Sequence, residues 1–78
     1  MSPEEKVRDV IAEQLEADIE EVTNDAFLTD DLRADPYDLE AIADQLSDEF
    51  EIEIAEEDIE SWERVEDVVN MVLEKLEE

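Results

Sequence analysis

The chain contains no glycine. Glycine is the residue that takes left-handed backbone at turns and helix ends without steric penalty. A chain without it must make its connections with ordinary backbone angles or borrow Asn and Asp for the left-handed ones. Tight hairpins and glycine-rich phosphate loops are both disfavoured. Helices joined by longer loops remain as the expected solution.

Helical periodicity agrees. Ser2 is placed as an N-cap, Pro3 as the first helical residue and Glu5 as the partner in a capping box. Val7, Val10, Ile11 and Leu15 then recur at helical spacing, and the helix is expected to end near Ala17. A long connection runs from Asp18 to Asp35, with Ile19, Val22, Phe27, Leu28 and Leu32 expected to pin it to the core. A loop of this length is expected to be functional or to hold a turn of helix. Asp35 and Pro36 open a second helix as N-cap and N1, and Asp38 adds a carboxylate in its first turn. Its apolar stripe is Leu39, Ile42, Ala43, Leu46 and Phe50. Glu51 to Ile54 alternates polar and apolar, but a lone strand has no partner, so an extended connector carrying Ile54 inward is expected. A short turn of helix over 56–60 turns Ile59 inward, and a final helix from about Arg64 to Leu76 shows Val65, Val68, Val69, Val72 and Leu76, widened by Met71 and Leu73. The expected fold is all-α, one domain over residues 1–78: three main helices and a short one as a four-helix bundle, with a long first loop.

With 42% apolar residues the chain can bury a modest core, and it holds neither cysteine nor histidine. Disulfides are excluded and the commonest zinc ligand is missing, so helix packing must hold the fold. Twenty-nine Asp and Glu oppose five Lys and Arg, a formal net charge of -24. Such a chain repels nucleic acid and anionic membranes, and its expected partner is a basic protein surface. Residues 1–5 show no basic segment leading into an apolar stretch, and no apolar run reaches membrane length, so a cytoplasmic location is expected. No catalytic constellation is visible. No His or Cys is available as base or nucleophile, and abundant carboxylates mark no acid/base pair with contrasting environments.

Three segments resemble the acyl carrier protein family. Val22-Thr23-Asn24 follows the first helix as the family's V-T segment does. Asp31-Leu32-Arg33-Ala34-Asp35-Pro36-Tyr37-Asp38 is similar to the family's D-L-G-A-D-S-L-D. Phe50 to Ile54 matches the stretch after the family's second helix. The resemblance implies a carrier that holds an acyl thioester on a phosphopantetheine arm, attached to a serine at the start of helix two, with partner enzymes gripping that helix's acidic face. In this chain the attachment position is Pro36, which has no hydroxyl, while Arg33 and Tyr37 replace the family's Gly and Leu. Three departures together argue against a single altered residue. Proline at N1 is compatible with a sound helix, since that N–H has no intrahelical partner. The other serines, Ser2, Ser47 and Ser61, lie outside any Asp-Ser-Leu context. No phosphopantetheine is therefore expected.

The expected docking face comprises Asp35, Asp38, Glu40, Asp44, Asp48 and Glu49. The bland reading of such a run is a solvated face. Trp62 is expected at the core or its edge rather than as an exposed anchor, and Tyr37 either covers the mouth of the bundle or lies on the surface. Asp25, Asp30, Asp31, Asp35 and Asp38 crowd the long loop without EF-hand spacing or its glycine, so no dedicated metal site is expected. The favoured function is a non-enzymatic, monomeric interaction domain of the acyl carrier class. It would dock on basic partners such as lipid or polyketide synthesis enzymes. Two alternatives stand beside it: a genuine carrier in fatty acid or polyketide synthesis modified elsewhere, and an acidic mimic of DNA.

Overall fold

The computed structural model describes residues 2–77. Four α-helices follow in order: α1 (Pro3–Leu15), α2 (Pro36–Phe50), α3 (Glu56–Glu60) and α4 (Val65–Glu77). A 3₁₀ turn, Ile19–Glu21, sits in the long first connection, which thus holds the expected turn of helix. Among the described residues no strand forms; Phe27 and Arg64 make one isolated antiparallel bridge. Helix α1 lies against both α2 and α4, and α3 touches α2.

Two helices start on an N-cap side chain and two on a carboxylate from their own first turn. The Glu5 N–H donates to Ser2 Oγ at 3.2 Å, and Ser2 Oγ lies 3.2 Å from Glu5 Oε1, so the glutamate closes on the hydroxyl. At α2 the capping box is complete: Asp38 N–H donates to Asp35 Oδ1 at 2.8 Å, and Asp35 N–H donates to Asp38 Oδ2 at 3.2 Å. Helix α3 begins after Ala55, which has no side-chain acceptor, and Asp58 supplies only the returning half, taking the Ala55 N–H at 3.0 Å. Asp67 does the same for α4, accepting from the N–H groups of Glu63 and Arg64. The N-cap side chains Ser2 and Asp35 each stabilise their helix by about 1 kcal/mol.

The helix ends contradict the expected turn chemistry. The positive-φ residues are Glu16 (53°), Arg33 (59°) and Glu51 (54°), and neither Asn nor Asp takes that role. Each closes a helical turn. Behind Glu16 the Ala17 N–H reaches Ala12 O at 3.0 Å, and behind Glu51 the Ile52 N–H reaches Ser47 O at 3.2 Å. Behind Arg33 the Ala34 N–H reaches Leu28 O at 2.8 Å. These bonds satisfy carbonyls that the helix leaves unpaired. They also end α1 at Leu15, two residues before the expected Ala17.

The core gathers the expected stripes: Val7, Val10 and Ile11 from α1, Ile42, Ala43 and Leu46 from α2, and Val65, Val68, Val69 and Val72 from α4. Val22, Leu28 and Leu32 pin the long connection, Ile54 and Ile59 are half-buried against the core, and Phe27 is half-buried. Two expected core residues stay out. Ile19 is 50% exposed on the 3₁₀ turn and Leu76 is 41% exposed in the last turn of α4. Ala26 and Ala34 are buried instead. The loop is stitched to the start of α4 by backbone bonds Leu28 N–H to Glu63 O (2.9 Å) and Val65 N–H to Ala26 O (3.0 Å). The Arg64 guanidinium rests 4.6 Å above the Phe27 ring.

Candidate functional site

The candidate site is the start and outer face of α2. Pro36 is its first residue, directly after the Asp35 cap, with a fixed φ suited to N1 and no N–H left over. Tyr37 points outward and is 81% exposed, so it lies on the surface and does not cover the bundle. The six carboxylates expected to act together separate into groups. Asp35 and Asp38 spend oxygens on each other's backbone N–H. Glu49 pairs with Lys6 of α1 at 3.4 Å, on the side turned toward that helix. Glu40, Asp44 and Asp48 are exposed and occupy positions i, i+4 and i+8, so they form one row with steps of about 6 Å along the axis.

Beside this row a groove of about 370 Å³ runs between α2 and α3, opening next to Pro36. Leu39, Ile59 and Trp62 give it an apolar floor, and Glu40, Glu56 and Glu60 rim it. The α3 glutamates thus extend the acidic surface beyond α2, which the helix-two stripe alone does not reveal. Trp62 is 6% exposed, at the core as expected, and its Nε1 is a buried donor without a partner among the described residues.

Helix α3 is held from outside by one ion pair. Lys75 Nζ lies 3.1 Å from Asp58 Oδ2. The Asp58 carboxyl is held below its ordinary value chiefly by the hydrogen bond from the Ala55 N–H; desolvation opposes this, and the hydrogen bond and charge of Lys75 add to the lowering.

The loop carboxylates have local partners. Asp31 accepts the Phe27 N–H at 2.8 Å, and Asp25 accepts the Thr23 hydroxyl at 2.9 Å. Among the described residues no three His, Cys, Asp or Glu side chains are gathered to hold a metal ion. The serine hydroxyls are engaged too: Ser47 Oγ donates to Ile52 O at 2.6 Å and Ser61 Oγ to Asp58 O at 2.7 Å, while Ser2 caps α1. No described helix is long and apolar enough to cross a membrane.

Residues 5–72 match a family described as "Phosphopantetheine attachment site". The chain is also 39% identical over 75 residues to a protein named "Acyl carrier protein" from Solidesulfovibrio magneticus, covering 96% of each chain. A helical bundle whose long loop delivers an acidic second helix, together with these matches across nearly its whole length, makes the chain a member of the acyl carrier protein family, whose members carry and do not catalyse.

Proposed function

We propose that this chain is an acyl-carrier-type interaction domain that works without a phosphopantetheine arm, docking the outer face of α2 on basic partner proteins. The observation that carries this reading is Pro36 at the first position of α2, where the family resemblance puts the attachment serine. An arm is joined through a side-chain oxygen, and proline has none. The residues present therefore do not fit the group. Ser47 is no substitute: its hydroxyl is part-buried and given to the Ile52 carbonyl. Ser61 is likewise engaged with Asp58 O.

Docking is supported by the exposed row Glu40, Asp44 and Asp48 and by a net charge of -24, which steers a basic surface toward it. The partners in this reading are enzymes of lipid or polyketide synthesis that accept carriers, met in the cytoplasm by a monomer. Nucleic acid and membrane are not among them.

Incubation with a phosphopantetheinyl transferase and coenzyme A, followed by intact-protein mass spectrometry, tests the first half. The mass is expected to stay unchanged. Gain of one phosphopantetheine would restore the ordinary carrier function. Pro36→Ser alone is expected to remain unmodified, because Arg33 and Tyr37 also alter the segment that the transferase reads. The second half is tested by charge reversal at Glu40, Asp44 and Asp48. Asp38 is left intact, since its carboxylate closes the α2 cap. Binding to carrier-accepting enzymes is expected to fall with the triple reversal; unchanged binding would move the interface elsewhere. Displacement of the chain from a partner by duplex DNA would instead favour mimicry.

A further inference from the structure

Two side chains at the start of α2 are unused by the fold. Tyr37, at 81%, is the most exposed large hydrophobic side chain among the described residues. Arg33 is the second. Of the five cations, Lys6, Arg8 and Lys75 each have a carboxylate within 4 Å, and Arg64 lies over Phe27. Arg33 is exposed and has neither an ion pair nor a side-chain hydrogen bond among the described residues. The flanking carboxylates of Asp31 and Asp35 each turn one oxygen to a backbone N–H, of Phe27 and of Asp38, and neither makes an ion pair with the guanidinium. Arg33 also sits at φ 59°, a conformation that disfavours a residue with a Cβ by roughly 1–2 kcal/mol, with no ion pair or side-chain hydrogen bond among the described residues to offset it.

We propose that Tyr37 and Arg33 form the centre of the docking surface and anchor the partner non-covalently, at the place where an armed carrier would insert its pantetheine. The proposal rests on the docking reading above and names the partner's chemistry. The occupant is a protein face with a basic rim that meets Glu40, Asp44 and Asp48. Inside the rim lies a pocket with apolar walls for the phenol ring and a carboxylate or backbone carbonyl for the guanidinium. A uniformly basic surface would repel Arg33, so the partner must be mixed in charge. The same guanidinium would be misplaced in an imitation of a phosphate row. Tyr and Arg are the residue types that dominate interface energetics when buried at a patch centre, because they bring large area and directional donors together. The charges around them act chiefly on association rate.

The test measures binding kinetics of the full chain to the β-ketoacyl synthase, the malonyl transferase and the ketoreductase that use carriers in the same cell. Tyr37→Ala and Arg33→Ala are each expected to raise the dissociation rate about tenfold or more, with association changed less than about twofold. Tyr37→Phe is expected to stay within about threefold, since the ring supplies the area. The triple reversal at Glu40, Asp44 and Asp48 is expected to act mainly on association. Helicity and melting temperature serve as the folding control, and both side chains are exposed enough to leave them unchanged. Wild-type dissociation rates in both alanine variants, beside a damaging triple reversal, would overturn the anchor and leave the docking reading standing. No binding of the wild-type chain to any of the three enzymes at about 100 μM would overturn both.

Discussion

Glu16 and Glu51 are held in left-handed backbone because the Schellman bonds of Ala17 and Ile52 require that conformation at the residue before them. Glycine there removes the Cβ conflict of roughly 1–2 kcal/mol and gives back part of it through its freer unfolded chain. Glu16→Gly and Glu51→Gly are each expected to raise unfolding free energy by about 0.5–1 kcal/mol, measured by urea titration. A decrease in either variant would show that the side chain contributes more than the strain costs. The absence of glycine is plain in the sequence. Which residues absorb the strain is not, because a left-handed Glu has no local signature, and α1 accordingly reads two residues too long. Trp62 offers a second test at this scale. Its orphan Nε1 carries a desolvation penalty of about 1–3 kcal/mol that offsets part of the ring's packing. Trp62→Phe removes the penalty with most of the packing kept and is expected to stay within about 1 kcal/mol of wild type. Trp62→Ala is expected to lose about 3–5 kcal/mol. A loss in Trp62→Phe clearly above about 1 kcal/mol would argue that the indole N–H finds a partner in solution.

Among the elements, α3 is the one whose attachment rests on polar groups. It is five residues long, four of them acidic, and too short to be stable by its own hydrogen bonds. Ile59 packs it inward, while Asp58 both caps its start and meets Lys75 of α4. Because the folded-state pKa of Asp58 is lowered, the stabilisation it gives is fully present above the ordinary carboxylate value. It is lost as pH falls through the lower folded value. Asp58→Asn is therefore expected to destabilise the chain at neutral pH, with the difference from wild type shrinking below about pH 4. Melting curves across pH 3–7 measure this, and a difference that stays constant would remove the carboxylate's charge from the explanation. The order of elements was legible because each helix has an apolar stripe, and the caps Ser2, Asp35 and Pro36 mark two starts without ambiguity. The stripe says nothing about how far a neighbouring helix extends. Leu76 continues α4's pattern into its exposed last turn, and Ile19 belongs to a turn rather than to a stripe. The burial of Ala26 and Ala34 is not legible in the sequence, because a small side chain gives little periodic signal. At the candidate site the sequence shows six carboxylates at the start and along α2 but not which of them stay exposed as a row. The withdrawal of Asp35, Asp38 and Glu49 into caps and an ion pair is not legible there, since that depends on the geometry of the α2 cap and on α1 lying alongside.

The whole molecule is a compact bundle carrying a formal -24, with a radius of gyration of 11.1 Å. Charges of one sign at that density repel, and the repulsion between exposed groups is screened over about 10 Å at 0.1 M salt. The three carboxylates of the α2 row have no cation within 4 Å among the described residues, so they contribute repulsion without a compensating pair. Neutralising them with Glu40→Gln, Asp44→Asn and Asp48→Asn should therefore stabilise the fold while impairing its use. At about 10 mM salt the triple variant is expected to melt several degrees above wild type, and at about 1 M salt, where the Debye length falls to about 3 Å, the two should converge. The same substitutions are expected to slow association with a basic partner at low salt and to leave the dissociation set by Tyr37 and Arg33 nearly unchanged. Opposite signs for stability and association, both fading with salt, identify a surface kept charged against the interest of the fold. A variant that melts no higher at low salt, or that associates as fast as wild type, would make the row an ordinary solvated helix face.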